Sequence, residues 1–139
     1  MDRTIHNGCV RRIAERVPDA AVRYLNPRRV VLIGSSARGE ESFGTICGRE
    51  ELFSDIEFAI FVARRDAGAA RRFDQELDVI RRSEGFSNPF FHIDYSLTLE
   101  VALPLKLVVD RHLANFEMFQ NGIVLHGDEL PRDLFRYSV

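Results

Sequence analysis

The sequence predicts an α/β fold, a sandwich in which one mixed β-sheet is flanked by helices. Segments with the helical spacing of apolar residues alternate along the chain with short segments rich in β-branched residues. The 139 residues, 45% hydrophobic and 29% charged, fit one globular domain over residues 1–139 and exclude a disordered or fibrous chain. No internal repeat or low-complexity tract interrupts this alternation.

The first elements are a helix, a strand and a tight turn. A first helix is predicted by apolar residues that recur every four positions, namely Ile5, Cys9, Ile13 and Val17. Pro18 is expected to end or kink it. Residues 29–33 form a short β-branched run that predicts a buried strand, followed by a small-residue turn and a single turn of helix over 34–39. Residues 40–54 lack sustained periodicity and are expected to form an excursion at the edge of the molecule.

The second half of the chain predicts two helices and three strands. Residues 55–62 alternate as a strand with an apolar face, while Asp55 and Glu57 share the opposite face. A helix through Ala70, Phe73, Leu77 and Ile80 is expected to stop at Gly85. A strand over 90–97 places its polar residues on one face, namely His92, Asp94 and Ser96. A last helix over 105–121 precedes a short strand over 123–126.

Composition restricts the classes of partner. The net charge of −2 argues against a dedicated nucleic-acid binder, because affinity for phosphate backbones normally requires a large positive excess. A small substrate or a protein partner is therefore expected. No apolar run is long enough to span a membrane or to resemble a signal peptide, so we expect a cytoplasmic protein. Cys9 and Cys47 show neither zinc-ligand nor disulfide spacing and are interpreted as reduced thiols.

Three acids stand out among the candidate functional residues. Asp55 and Glu57 open an otherwise apolar strand, point the same way and could hold a divalent cation through oxygen ligands. The alternative is that they mark a solvent-exposed strand start. Asp94 lies mid-strand, where a lone acid is costly unless it is paired or functional. If the two strands are neighbours with aligned polar faces, the three carboxylates converge. His92 on that face is interpreted as a structural hydrogen-bond partner.

The turn after the first strand is the fourth candidate. Gly34 permits close approach of the backbone, and the Ser35 hydroxyl with the free N–H groups that follow suits phosphate oxygens. An ordinary tight turn is the alternative. Neither a P-loop nor a Rossmann glycine pattern is present.

In chain order, these motifs resemble the polymerase-beta-like nucleotidyltransferase superfamily, whose pattern is hydrophobic-Gly-Ser, then Asp-x-Asp/Glu, then a later strand acid. The segment 34–40 with 54–57 is similar to minimal bacterial nucleotidyltransferases, and Ser-Asp-Ile-Glu is similar to the kanamycin nucleotidyltransferase type. This chain departs from that pattern at two points. Glu57 replaces the more usual second Asp, and nineteen residues, 36–54, separate Ser35 from Asp55, which indicates a loop insertion at 43–53.

The resemblance implies a nucleotidyltransferase fold and a metal-dependent transfer of a nucleoside monophosphate from an NTP, with ATP expected, to a hydroxyl acceptor. It implies that Asp55, Glu57 and Asp94 bind two Mg²⁺ ions and that Asp94 also helps to deprotonate the acceptor. Gly34 and Ser35 would hold the β and γ phosphates, with Arg38 as a further phosphate contact.

The acceptor is left open between a small molecule and a partner protein. Its site would be completed by a second copy, a partner or a remainder of a longer chain. The rival hypothesis is a non-catalytic module of this fold that binds nucleotide or a protein partner. A plain α/β domain with incidental acids is the third.

Overall fold

The computed structural model describes residues 8–40, 43–46, 49–52, 55–84, 92–99 and 120–130. The helices and strands in chain order are α1 (Gly8–Leu25), β1 (Arg29–Ile33), α2 (Gly34–Arg38), β2 (Phe43–Ile46), β3 (Arg49–Leu52), β4 (Ile56–Val62), α3 (Ala67–Ser83), β5 (Ile93–Leu99) and β6 (Ile123–Gly127). They form a mixed α/β fold, which confirms the predicted fold class. None of the described helices combines the length and the apolar character that a membrane span needs.

A four-stranded mixed sheet with the order β5-β4-β1-β6 organises the fold. Strand β1 pairs antiparallel with both β4 and β6, while β4 pairs parallel with β5. The long connection between β4 and β5 contains α3, because parallel neighbours require a crossover. The observed β1 matches the predicted strand residue for residue, and β4 begins one residue later than predicted.

Both faces of the central strands are buried. On one face, α1 and α3 cover a core that contains Ile56, Phe58 and Ile60 of β4. On the other face, Val31, Ala59 and Phe61 form a smaller apolar cluster. Because side chains alternate along a strand, Glu57 belongs to this second face, away from the two long helices.

Helix α1 does not end at Pro18, contrary to one of the two outcomes we expected. It continues to Leu25, and Pro18 is buried inside it. A proline removes one backbone hydrogen bond from a helix interior. Here the helix continues because its apolar stripe extends past the proline and stays packed, with Val17, Ala20 and Ala21 all buried.

Helix α3 begins with a side-chain cap and packs beside α1. Asp66 accepts a hydrogen bond from the Ala69 backbone N–H at 3.1 Å, which satisfies one of the free donors of the first turn. At its other end, the Glu84 carboxylate accepts from Arg12 at 2.7 Å and from Arg16 at 3.3 Å, both on α1. The predicted stop at Gly85 lies outside the described residues.

Residues predicted as an insertion contain a β-hairpin. Strands β2 and β3 pair antiparallel, with Phe43 opposite Leu52, in a two-stranded sheet of their own. The sequence did not predict these strands because neither segment alternates apolar and polar residues, and their Gly and Glu residues are depleted in strands. The predicted helix over 105–121 lies outside the described residues except for 120 and 121, which are helical.

Candidate active site

The site begins at the turn between β1 and α2. Gly34 has a φ of +73°, a conformation that side chains with a Cβ rarely adopt. A Cβ at this position would also lie 2.7 Å from Oε2 of Glu57. Glycine is therefore required twice, once for the backbone conformation and once because the Glu57 carboxylate packs against its Cα.

Glu57 and Asp94 are side by side in the sheet. They are register partners on the parallel strands β4 and β5, and Ile33 is the partner of Glu57 on the other side. Adjacent strands lie about 4.8 Å apart, so the two acidic side chains leave the same face as close neighbours. Together with Ile33 and Ser96 they line an open cavity of about 200 Å³. The predicted alignment of polar faces is present for this pair.

Asp55 lies just before β4 and is half-buried. Its Oδ1 accepts a hydrogen bond of 3.0 Å from the backbone N–H of His92. The next residue, Ile56, donates its own N–H to the carbonyl oxygen of His92 at 3.1 Å. These two bonds fix the start of β5 against the start of β4, so His92 contributes through its backbone. Asp55 does not line the cavity beside Glu57, and within the described ranges no group of three or more His, Cys, Asp or Glu side chains lies close enough to hold a metal ion.

Strand β5 is anchored from the opposite face by Tyr95. Its ring meets Phe73 of α3 edge-on, with centroids 4.9 Å apart, and its hydroxyl donates to the Ala70 carbonyl at 3.5 Å. Burial and the nearby Asp74 carboxylate raise the pKa of Tyr95 well above its usual value, so the phenol stays neutral. Because Tyr95 follows Asp94 directly, this anchor holds the neighbouring carboxylate in its register.

The remaining predicted residues lie on or beside α2. Ser35 is half-buried, and its carbonyl oxygen accepts from the Glu40 N–H at 2.8 Å, which closes the turn. Arg38 forms an ion pair with Glu40, with 3.0 Å between Nε and Oε2. A phosphate contact by Arg38 would therefore replace one anionic partner by another.

Ser36 was not predicted as a site residue. It is only 4% exposed, and its hydroxyl has no hydrogen-bond partner within the described part of the chain. A buried hydroxyl without a partner is costly. Nothing in the sequence distinguished Ser36 from Ser35, because its burial arises only when α2 packs against β1 and β4.

Comparison of the chain with protein-family models, with curated proteins and with solved structures found no match.

Proposed function

We propose that this chain is a metal-dependent nucleotidyltransferase that transfers a nucleoside monophosphate from an NTP to a hydroxyl acceptor. One observation carries the proposal. Glu57 and Asp94, 37 positions apart in the chain, are register partners on adjacent strands and line one cavity, and the Glu57 carboxylate lies against Gly34. The order of these motifs also resembles that of the polymerase-beta-like superfamily.

The donor set suits a hard divalent cation. Glu57 and Asp94 supply carboxylate oxygens from paired positions on adjacent strands, and carboxylate oxygens are the ligands that Mg²⁺ prefers. Two neighbouring carboxylates repel each other, and a cation between them offsets that cost. The resemblance implies Asp55 as the third ligand, and its side chain would have to turn from the His92 N–H towards Glu57 to reach the same ion. When bound, two Mg²⁺ ions would neutralise charge on the triphosphate of the NTP.

The protein's own groups would position the substrates. As the resemblance implies, the backbone of the Gly34 turn and the Ser35 hydroxyl would hold phosphate oxygens, with Arg38 as an additional contact. Asp94 lies at the cavity and would accept the proton of the acceptor hydroxyl on a carboxylate oxygen. In such a transfer, catalysis consists mostly of positioning and of electrostatic stabilisation of the phosphoryl oxygens.

The acceptor would reach the open side of this cavity. We propose that it is a small molecule with a hydroxyl group or a partner protein, and that a second copy of the chain or a partner completes its site. Nucleic acid is the least favoured acceptor, because the net charge of the chain is −2.

Titration of Mg²⁺ and ATP, together with transfer of a labelled nucleoside monophosphate, tests the proposal. The double variant Asp55→Asn, Glu57→Gln should lose metal-dependent ATP binding, and Asp94→Asn should lose transfer. The matched control is Glu15→Gln, Asp19→Asn, which removes the same two charges from the exposed side of α1. Equal ATP affinity in wild type and in the Asp55, Glu57 variant would end the assignment.

A non-catalytic module that binds nucleotide or a protein partner is the second candidate. The hydrogen bond from His92 N–H to Asp55 favours it, because it gives that carboxylate a structural role between β4 and β5. Nucleotide binding without release of pyrophosphate would select the module. Metal-dependent release of pyrophosphate would select the enzyme.

A further inference from the structure

The end of the sheet opposite Glu57 and Asp94 contains a second cavity. The carboxylates of Glu57 and Asp94 lie where β4 and β5 begin. Strand β4 ends at Val62, five residues after Glu57. At 3.3 Å per residue, Val62 is therefore about 17 Å from Glu57. The segments that reach this second end carry exposed arginines, Arg23, Arg28, Arg64, Arg65 and Arg72, and exposed acids, Asp66, Asp128 and Glu129.

A cavity of about 270 Å³ lies at this end of the sheet, and its charged lining residues are Arg64 and Asp66. Its apolar lining comes from Leu25, Val62 and Leu97, at the ends of α1 and β4 and within β5. Its polar lining includes Tyr24 and Arg64. The volume lies just below the range of about 300 to 1,000 Å³ that is usual for sites of drug-sized ligands, so a smaller molecule would fit.

The charged groups at this cavity differ in whether they already form hydrogen bonds within the protein. The Asp66 carboxylate is committed to the first turn of α3, where it accepts from the Ala69 N–H at 3.1 Å. Arg65 donates to the Leu97 carbonyl at 3.2 Å and is likewise committed. Arg64 and the Asp66 carboxylate attract each other electrostatically. The Arg64 guanidinium nevertheless donates no hydrogen bond to any of the described residues. A guanidinium with free donors recognises phosphate and carboxylate groups by paired hydrogen bonds.

We propose that this cavity binds a small organic anion, with its phosphate or carboxylate group on Arg64 and its apolar body against Leu25, Val62 and Leu97. The guanidinium of Arg64 favours the anion, because the Asp66 carboxylate is held by the first turn of α3, and the apolar lining favours a body of a few carbon atoms over a bare inorganic ion. The site is about 17 Å from Glu57. It therefore stands independently of the proposed transferase activity.

Titration of the ¹⁵N-labelled full chain with phenyl phosphate and, separately, with benzoate tests this site by NMR. We expect saturable shifts in the amides of Asn26 and Ala69, which border the cavity. Arg64→Gln should weaken the affinity about tenfold, the usual effect of losing one charge-assisted hydrogen-bonding group. Tighter binding of phenyl phosphate would indicate a phosphate monoester, and tighter binding of benzoate a carboxylate.

Two further variants separate the site from general electrostatics. Arg82→Gln removes the same charge from the far end of α3, where its side chain is 73% exposed, and should leave the affinity within about twofold of wild type. Ala63→Phe, at an exposed position that lines the cavity, should block binding while Arg64 remains. The absence of saturable shifts with both probes, or an equal loss in Arg64→Gln and Arg82→Gln, would overturn the proposal.

Discussion

Replacing Gly34 by alanine tests the contact between the turn and Glu57. Alanine at this position must adopt a φ of +73°, and its Cβ would lie 2.7 Å from Oε2 of Glu57. Gly39 provides the matched control within the same segment. It has a φ of +71°, but a Cβ there would meet no atom within 4 Å. Both substitutions hold alanine in a left-handed backbone conformation, and only Gly34→Ala also brings its Cβ into a clash with Glu57.

The magnitudes follow from these two geometries. Holding alanine in the left-handed region costs about 1 to 2 kcal/mol, so Gly39→Ala should lower the free energy of unfolding by that amount. In Gly34→Ala the Glu57 carboxylate must also move. It is the end of a flexible side chain on an exposed residue, so an off-rotamer cost of about 1 kcal/mol is expected. The total for Gly34→Ala is then about 2 to 3 kcal/mol.

Urea unfolding followed by circular dichroism measures both values. The excess loss in Gly34→Ala should disappear in a Glu57→Ala background, because the clashing carboxylate is then absent. Equal losses for the two glycines would refute the close contact with Glu57, and so would an excess that persists in the Glu57→Ala background. Either result would remove the observation on which the proposed site rests.

Three further substitutions test the packing around the site. Tyr95→Phe should cost about 1 kcal/mol in urea unfolding, because the hydroxyl loses its hydrogen bond to the Ala70 carbonyl. Phe73→Ala should cost about 3 to 5 kcal/mol, since the ring is fully buried. Arg12 and Arg16 lower the pKa of Glu84 against the opposing effect of burial, so its stabilisation is present above the ordinary pKa of 4.5 and is lost as the pH falls through the lower folded value. Glu84→Gln should therefore lower the melting temperature at neutral pH and converge with wild type in acid.

Each of these expectations has a contradicting outcome. An unchanged free energy of unfolding in Tyr95→Phe would show that the hydroxyl does not anchor β5. A loss below about 1 kcal/mol in Phe73→Ala would show that the core collapses around the missing ring. A difference between Glu84→Gln and wild type that stays constant down to low pH would show that the ionised carboxylate is not the stabilising species.

Local patterns in the sequence determined most of the elements and the facing of their side chains. The β-branched run 29–33 became β1, and the alternation after Asp55 placed Glu57 opposite the core residues of β4. The spacing of apolar residues likewise predicted α3. These features were accessible because the period of a strand or helix decides which side chains share a face, whatever the rest of the chain does.

The tertiary structure alone decided which faces meet and where individual side chains turn. The neighbourhood of Glu57 and Asp94 depends on the parallel pairing of β4 with β5, a contact between distant segments that no local period encodes. Asp55 turned towards the His92 N–H, and Pro18 stayed inside α1, because hydrogen bonds and packing across elements outweighed local preference. The cavity at Arg64 exists for the same reason, since the ends of α1, β4 and α3 meet there only in the folded chain.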